Sequence, residues 1–361
     1  MAKRVLILTT IPAPYRYEVF CLLSEKFKTE IFYERSKDLQ RNVEWLKKGN
    51  VNCLDSKECK RYYKSTIAEL EQFDYVLIYE YSTITAMRLM IKCIEKNVPY
   101  AINCDGAFIK HNFIKNKVKS FFVKHADLCL ANGKSAANYF KYLGAYEEKI
   151  KYHKFTSMYE RQIQDKPISE KLRTALREEL KLPEGICAIA VGRFVKSKAF
   201  DILIDVWKEL PANYNLFIIG GGSEKHNLEK QIVKLQLTNV KIYDYMNSDK
   251  LKKYYQASDM FVFPTLRDVW GLVVNEAMAN GLPVITTEMC NAGKELIENG
   301  INGYIVPIRD KDAIKNAVIK IGGNDDLRNQ MSINNLKKIR GYTYENIVKS
   351  HIEAIGNRGE E

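Results

Sequence analysis

The spacing of apolar residues along the chain is the feature that most constrains its fold. Short apolar runs recur along the chain, and many precede a stretch in which apolar residues return at helical spacing, as in Phe200, Leu203 and Trp207. Alternating strands and helices predict parallel sheets that are covered by helices on both faces. The predicted strands are residues 4–9, 74–79, 99–103, 127–131, 187–191, 215–219, 239–243, 259–263, 283–286 and 303–306.

The length and a polar interval near the middle predict two domains. A chain of 361 residues is long for one core and comfortable for two. Residues 155–185 carry mixed charge, two prolines and no clean strand, which is typical of a linker that leads into a second domain. We predict doubly wound α/β domains at 1–165 and 166–340, facing each other across a cleft, with a C-terminal helix at 341–361 packing back toward the first domain. Ligands would then bind outside the carboxyl ends of the strands.

The composition predicts a folded protein in a reducing compartment. Hydrophobic residues make up 46% of the chain, and no apolar run approaches the roughly 20 residues that cross a bilayer. The eight cysteines show no CxxC and no paired spacing, so neither a zinc site nor a disulfide framework is indicated. The apolar part of the N-terminus is too short for a signal peptide and predicts a strand. We therefore expect a cytoplasmic location.

The net charge of +12 predicts an acidic partner. Residues 110–124 contain five lysines and no acid, interleaved with Phe113, Ile114, Val118 and Phe121. This pattern is typical of a helix that lies on an anionic membrane, although a core-facing helix with a solvated basic face has the same composition. Nucleic-acid binding is not expected, because no helix-turn-helix, zinc or RNP-type signature accompanies the charge.

The stretch Pro264–Pro283 places two acids, Asp268 and Glu276, eight residues apart around Gly271. A helix that begins after Gly271 presents free N–H groups and the positive end of its dipole, which suit an anion such as a diphosphate. Carboxylates repel phosphates but accept hydrogen bonds from hydroxyl groups, which sugars and riboses supply in pairs. The spacing therefore predicts a nucleotide-sugar site. The simpler alternatives are an ordinary ion pair for Glu276 and a helix cap for Asp268.

Two further loops follow predicted strands of the second domain. Arg193 and Lys198 come directly after residues 187–191, where their positive charges could hold a diphosphate; the alternative is two ordinary surface residues. Three glycines, among them Gly221, follow residues 215–219. They either expose backbone N–H groups to a phosphate or sugar, or make a tight strand-to-helix turn.

Taken together, these motifs resemble the family 4 retaining glycosyltransferases of the GT-B fold, which has two Rossmann-like domains. The family pattern is a glycine-arginine turn with a downstream lysine, then an acid, seven residues and a glutamate in EAMA. Here it reads GRFVKSK and DVWGLVVNEAMANGLPVI, and the resemblance covers residues 187–310 with a looser match before them.

The resemblance implies a role for each matching residue of the second domain, which would bind the nucleotide-sugar donor. Arg193 and Lys198 would hold the donor diphosphate, and Glu276 would accept hydrogen bonds from the ribose. Asp268 would bind the transferred sugar as a catalytic residue, although the family more often has glutamate there. A shorter side chain at this position can change which hydroxyl is recognised. The donor-binding set further includes the backbone of Gly271, Leu272, Val273 and Gly221.

The first domain, which the resemblance assigns to the acceptor, departs from the family. The usual glycines after the first strand are absent, and Tyr15 and Arg16 would project there from the start of a helix toward an acceptor phosphate or sugar. Tyr15 packing inside is the alternative. Asp105 stands where the family has a histidine; the same Asp-Gly pair occurs in polysaccharide-assembly members, and we expect a catalytic role for it. The histidines His111, His125 and His153 are expected to be structural.

These observations predict a membrane-peripheral glycosyltransferase at the inner face of the cell membrane. It would move a sugar from a nucleotide diphosphate donor, which we expect to be UDP-linked, to a growing glycan carried on a lipid. The resemblance implies retention of configuration. No Asp-x-Asp follows a strand, so we expect neither a metal nor another cofactor. One alternative is a non-catalytic GT-B subunit, which would be consistent with the missing histidine. The other is a nucleotide-sugar epimerase, but the further acid and base residues that it would need are not evident.

Overall fold

The computed structural model describes residues 2–37 and 51–356. The chain forms two compact units, one of Met1–Ser157 with Thr343–Glu361 and the other of Met158–Tyr342. The first unit thus takes its chain from both ends of the sequence, and the division after Ser157 falls close to the predicted boundary at 165/166.

The first unit is built on a parallel seven-stranded sheet, in the order β3-β2-β1-β4-β5-β6-β7. Its strands are β1 (Arg4–Thr9), β2 (Lys28–Tyr33), β3 (Asn52–Cys53), β4 (Tyr75–Ile78), β5 (Tyr100–Cys104), β6 (Leu128–Asn132) and β7 (Ile150–His153). Its helices are α1 (Pro14–Ser24), α2 (Lys57–Ala68), α3 (Ile84–Glu95), α4 (Phe113–His125), α5 (Gly133–Tyr142) and, beyond the second unit, α14 (Tyr344–Gly356).

The central strands of this sheet are those that the sequence predicts. Every residue of β4, β5 and β6 is buried, because helices cover both faces of a parallel sheet and the strands must be apolar throughout. The prediction omits β2, β3 and β7, which lie toward the two edges of the sheet. Strands at or next to an edge are partly exposed to water, as β2 and β7 are, so polar residues interrupt their apolar runs.

The C-terminal helix α14 packs against α1 and β7 of the first unit. Ile347, Val348, His351 and Ile355 lie on its buried side at helical spacing. A histidine is therefore buried inside an otherwise apolar helix contact.

The second unit has a parallel six-stranded sheet, in the order β10-β9-β8-β11-β12-β13. Its strands are β8 (Ile186–Arg193), β9 (Tyr214–Gly221), β10 (Val240–Tyr243), β11 (Met260–Phe263), β12 (Val284–Thr287) and β13 (Gly303–Val306). Its helices are α6 (Glu170–Glu179), α7 (Phe200–Trp207), α8 (Lys225–Lys234), α9 (Ser248–Ala257), α10 (Leu272–Ala279), α11 (Asn291–Leu296), α12 (Lys311–Gly322) and α13 (Asp325–Ile339).

The turn after β9 shows what its three glycines do. Gly220 and Gly222 have positive φ, and a Cβ on either would lie 1.9 Å from the Gly192 carbonyl oxygen or 2.5 Å from that of Phe194. These two glycines are needed for the close approach of β8 and β9. Gly221 differs, since a Cβ built there would meet no atom of the described residues within 4 Å.

Candidate functional site

Lys198 and Asp268 form a largely buried ion pair at the carboxyl end of the second sheet. The Lys198 ammonium group contacts the Asp268 carboxylate, although the two residues are 70 positions apart. Lys198 is only 7% exposed, and its Nζ lies 5.1 Å from the centre of the Phe263 ring. The sequence predicts both residues as part of one site, and the fold brings them into contact.

The backbone sets the position of this pair. Lys198 ends a short 3-10 turn, Lys196–Lys198, that follows β8. The Ser197 carbonyl oxygen accepts hydrogen bonds from the Leu266 N–H at 2.8 Å and the Thr265 hydroxyl at 2.9 Å. The loops after β8 and β11 are therefore tied together, which holds a lysine from one against an aspartate from the other.

Gly271 lies beside this pair and begins α10. Its φ is +101°, and a Cβ there would lie 2.8 Å from the Cys290 sulfur, so only glycine fits without rearrangement. The N–H groups of Leu272 and Val273 open the helix, where the positive end of the dipole favours an anion. Asp268 is not the cap of α10: Gly271 is the N-cap residue, and the Asp268 Oδ1 accepts from the Trp270 N–H at 3.3 Å.

Glu276 lies in the second turn of α10 and is partly buried. Its Oε2 accepts a hydrogen bond from the Tyr255 hydroxyl at 3.2 Å. Burial, with the neighbouring Glu276 charge, raises the pKa of Tyr255 well above its usual value of 10, so the phenol remains a donor. The Glu276 carboxylate therefore accepts a hydrogen bond from a neutral phenol.

The remaining predicted residues of this unit lie at the same edge of the sheet. Arg193 is the last residue of β8, is exposed, and pairs in register with Gly221 of β9. The second unit therefore presents cations, a helix N-terminus and carboxylates at the carboxyl ends of β8, β9 and β11, a combination that suits a diphosphate with attached hydroxyl groups.

In the first unit, Asp105 follows β5 and is held by three donors. Arg16 Nη2 lies 2.5 Å from the Asp105 Oδ2, and the side-chain amides of Asn103 and Asn132 donate to its Oδ1 at 2.8 and 2.9 Å. The asparagines are not predicted from the sequence. The sequence feature that could have identified them is a polar residue at or near the end of an apolar strand, because functional groups in parallel sheets lie at the carboxyl ends of the strands.

Tyr15 and Arg16 lie in the first turn of α1 but differ in environment. The Tyr15 ring packs edge-on against Phe155 at 5.3 Å, and Arg16 is 9% exposed rather than projecting from the helix. Burial is the largest single influence on the pKa of Arg16 and lowers it. The interactions with Asp105, Tyr15 and Tyr79 together outweigh burial and raise the pKa, so the guanidinium stays charged.

Two buried histidines lie behind Arg16. The His351 Nε2 is 2.7 Å from the Tyr79 hydroxyl, and its ring stacks on His153 with centroids 4.9 Å apart. Burial lowers the pKa of His351 to about 4 and that of His153 well below 6.5, so both rings are neutral near pH 7. Neither ring is exposed, in keeping with the structural role expected for His153.

Helix α4 carries an exposed apolar and basic surface. Phe113 and Ile114 are 82% and 75% exposed, and Val118 and Phe121 are exposed as well. Within α4 only Phe122 and Val123 are buried, so the core of the first unit does not take up this apolar face. Among residues 2–37 and 51–356, no helix is long and apolar enough to cross a membrane.

Comparison with known proteins agrees with this chemistry. Residues 173–338 match the model of the family described as glycosyl transferases group 1. An uncharacterized glycosyltransferase of Methanocaldococcus jannaschii is 25% identical over 266 residues, which are 72% of this chain and 73% of that protein. The capsular polysaccharide biosynthesis glycosyltransferase CapM of Staphylococcus aureus is 30% identical over 172 residues, which are 46% of this chain and 44% of CapM.

Solved structures show the same fold. HepE of Anabaena in complex with UDP has a TM-score of 0.78 at 17% identity, covering 98% of this chain and 99% of HepE. WaaG, a glycosyltransferase of lipopolysaccharide biosynthesis, has a TM-score of 0.69 at 14% identity, covering 98% and 100%. The predicted GT-B class, with two Rossmann-like α/β units, is confirmed. The match of residues 173–338 to the group 1 glycosyltransferase model agrees with the resemblance to the family 4 retaining enzymes that the sequence motifs indicated.

Proposed function

We propose that this chain transfers a sugar from a UDP-sugar to a growing, lipid-linked glycan in surface polysaccharide assembly. The observation that carries the proposal is the contact of Lys198 with Asp268 beside the N-terminus of α10. A diphosphate leaving group gains negative charge as the glycosidic bond breaks, and a fixed cation with a helix N-terminus stabilises that charge.

Each residue of the second unit has a distinct part in this proposal. Arg193 and Lys198 neutralise the diphosphate, and the N–H groups that open α10 contact its oxygens. Glu276 accepts hydrogen bonds from the ribose, and Asp268 accepts one from the transferred sugar. Since Asp268 contacts Lys198 directly, the diphosphate and the transferred sugar would bind to neighbouring side chains.

The UDP-sugar and the glycan acceptor are drawn from similar proteins. HepE of Anabaena has a solved structure with UDP-glucose, and CapM is named for capsular polysaccharide biosynthesis. We further propose that configuration is retained and that no metal takes part, with the cations of Arg193 and Lys198 in the place of a metal.

We also propose that α4 binds the enzyme to the anionic inner face of the cell membrane, where a lipid-linked acceptor would lie. Its exposed Phe113 and Ile114 can enter the interface while neighbouring lysines meet anionic head groups. Sedimentation with vesicles of phosphatidylcholine and phosphatidylglycerol should therefore exceed sedimentation with phosphatidylcholine alone and should fall with salt.

A variant with Phe113→Ser and Ile114→Ser should lose this binding. Val233→Ser is the matched control, because Val233 is 76% exposed on a helix of the second unit. Equal sedimentation of the parent and the double variant would remove α4 from the proposal and leave the transferase activity untouched.

The transferase proposal is tested by incubating the full chain with a panel of UDP- and GDP-sugars in the presence of EDTA. Slow release of UDP is expected, because water can replace the acceptor. Arg193→Ala should chiefly slow this release, with binding of UDP largely retained. Binding of UDP without any release from the panel would indicate a non-catalytic subunit, and a changed sugar would indicate an epimerase.

A further inference from the structure

The Asp105 carboxylate is held more completely than a surface aspartate would be. Its three donors come from three different elements: Arg16 from α1, Asn103 from β5 and Asn132 from β6. Donors on separate elements define the plane and the rotation of a carboxylate, because each approaches from another direction. Asp105 is thus fixed by the fold and not by its own loop.

Arg16 is in turn packed against Tyr79, on the side toward the C-terminal helix. Its guanidinium lies 4.7 Å from the centre of the Tyr79 ring. The His351 Nδ1 is 2.9 Å from the Ile347 carbonyl oxygen, which can only accept, so Nδ1 carries the proton and Nε2 accepts from the Tyr79 hydroxyl. The chain of contacts therefore runs from α14 through Tyr79 to Arg16 and Asp105.

Stability alone does not account for this cluster. Three of its side-chain atoms are buried and have no hydrogen-bond partner within residues 2–37 and 51–356: Arg16 Nη1, Asn103 Oδ1 and Asn132 Oδ1. Each such atom costs about 1–3 kcal/mol, whereas apolar residues of similar shape would cost nothing of this kind. Polar groups kept at such a cost in one place are typical of a functional site.

We infer that Arg16, Asn103 and Asn132 are positioning residues, which act on the reaction through Asp105 and not by touching the substrate. Tyr79 and His351 extend this support to the C-terminal helix. The inference rests on the proposed transferase function and gives Arg16 a role other than binding an acceptor. A carboxylate that is already oriented has less freedom to lose when it binds a hydroxyl group, which raises the rate.

A double-mutant cycle tests this inference on the full chain. The rate of UDP release is measured with the UDP-sugar that releases most UDP in the donor panel, for Arg16→Gln, Asp105→Asn and the double variant. Each single variant should be about 10- to 100-fold slower, and the double variant should be no slower than Asp105→Asn alone. If the two losses multiply, or if Arg16→Gln keeps the parent rate, the inference is overturned.

A second cycle uses Asn132→Ala, which removes one of three donors and leaves the buried charges paired. Its smaller loss should likewise vanish in the Asp105→Asn background, and a loss that persists there would overturn the inference. Arg16→Lys, which keeps a cation for Asp105, should recover part of the rate that Arg16→Gln loses.

Two controls separate the inference from the proposed function. His125→Gln alters an exposed histidine of the same unit and should keep the parent rate. All variants should bind UDP like the parent, since the proposed UDP contacts lie in the second unit. A parent chain that binds no UDP and releases none would count against the proposed function, whereas an unequal cycle in an active parent counts against the positioning role.

Discussion

Each unit has a largely buried pair of a basic and an acidic side chain at the carboxyl end of its sheet, and the two pairs are held differently. Arg16–Asp105 and Lys198–Asp268 are equally buried, with side-chain exposures of 10% and 22% for the first pair and 9% and 21% for the second. The Asp105 carboxylate, however, accepts three side-chain hydrogen bonds, whereas among the described residues the donors to the Asp268 carboxylate are Lys198 and the Trp270 N–H.

The cations differ in the same sense. Arg16 has a rigid planar group packed on Tyr79, while Lys198 carries a point charge on a flexible four-carbon chain. We therefore expect Lys198 to be able to exchange its carboxylate for a diphosphate, and we expect Arg16 to stay on Asp105. The comparison indicates that two ion pairs of equal burial and equal charge can have different roles: one fixes a carboxylate in place, and the other provides a contact that can be exchanged.

The largest expected effect is on stability. Asp105→Ala leaves the Arg16 charge buried and unpaired and should lower the free energy of unfolding by about 3–5 kcal/mol. Asp268→Ala should lower it by only about 1 kcal/mol, because the Lys198 side chain can turn its ammonium group toward water. Urea unfolding followed by circular dichroism measures both. Equal losses would break the comparison.

The next effect concerns the exchangeable pair. Lys198→Ala should slow UDP release about 100- to 1000-fold, because the departing diphosphate loses a cation in a largely buried position. Lys196→Ala, which changes an exposed lysine in the same turn, is the matched control and should stay near the parent rate. A Lys198→Ala variant as fast as the parent would show that the pair is structural.

The buried histidines behind the Arg16–Asp105 pair should make the stability of the protein depend on pH. Burial lowers the pKa of His351 from 6.5 to about 4, so between these values the unfolded chain binds more protons than the folded chain. The free energy of unfolding should therefore fall with acid, by about 2 kcal/mol between pH 7 and pH 5 from this group alone. His153, whose pKa is also lowered, adds in the same direction.

Urea unfolding at the two pH values measures this slope. His351→Gln should have a shallower dependence than the parent, while His125→Gln, which alters an exposed histidine, should match it. An unchanged slope in His351→Gln would mean that other groups carry the acid sensitivity.

The smallest effect sharpens the description of the second unit. Glu276→Gln should weaken UDP binding about tenfold, because a charged acceptor for the ribose hydroxyls becomes a neutral one. Isothermal titration with UDP measures the change. Tyr255→Phe, which removes only the phenol that donates to Glu276, should weaken binding less. Equal affinities of Glu276→Gln and the parent would take the ribose role from Glu276.

The sequence was most informative where one local rule decides the outcome. A run that must be apolar on both faces predicts the central strands β4, β5 and β6, and these are found. The strands β2, β3 and β7, which lie at or next to the edges of the sheet, escape prediction, because partial exposure to water lets polar residues enter them. Composition alone could not decide whether the apolar face of α4 is buried, since burial depends on what packs against it.

By itself, the sequence determined the fold class, the family resemblance of residues 173–338 and the residues at the carboxyl ends of the second sheet, because each depends on residue types at fixed local spacing. Only the tertiary structure decided which charges meet. Lys198 finds Asp268 across 70 residues and Arg16 finds Asp105 across 89, and no local pattern contains such a pairing. The physical reason is that a parallel sheet brings the carboxyl ends of distant strands to one edge. What a charge does there depends on how many partners the fold provides for it.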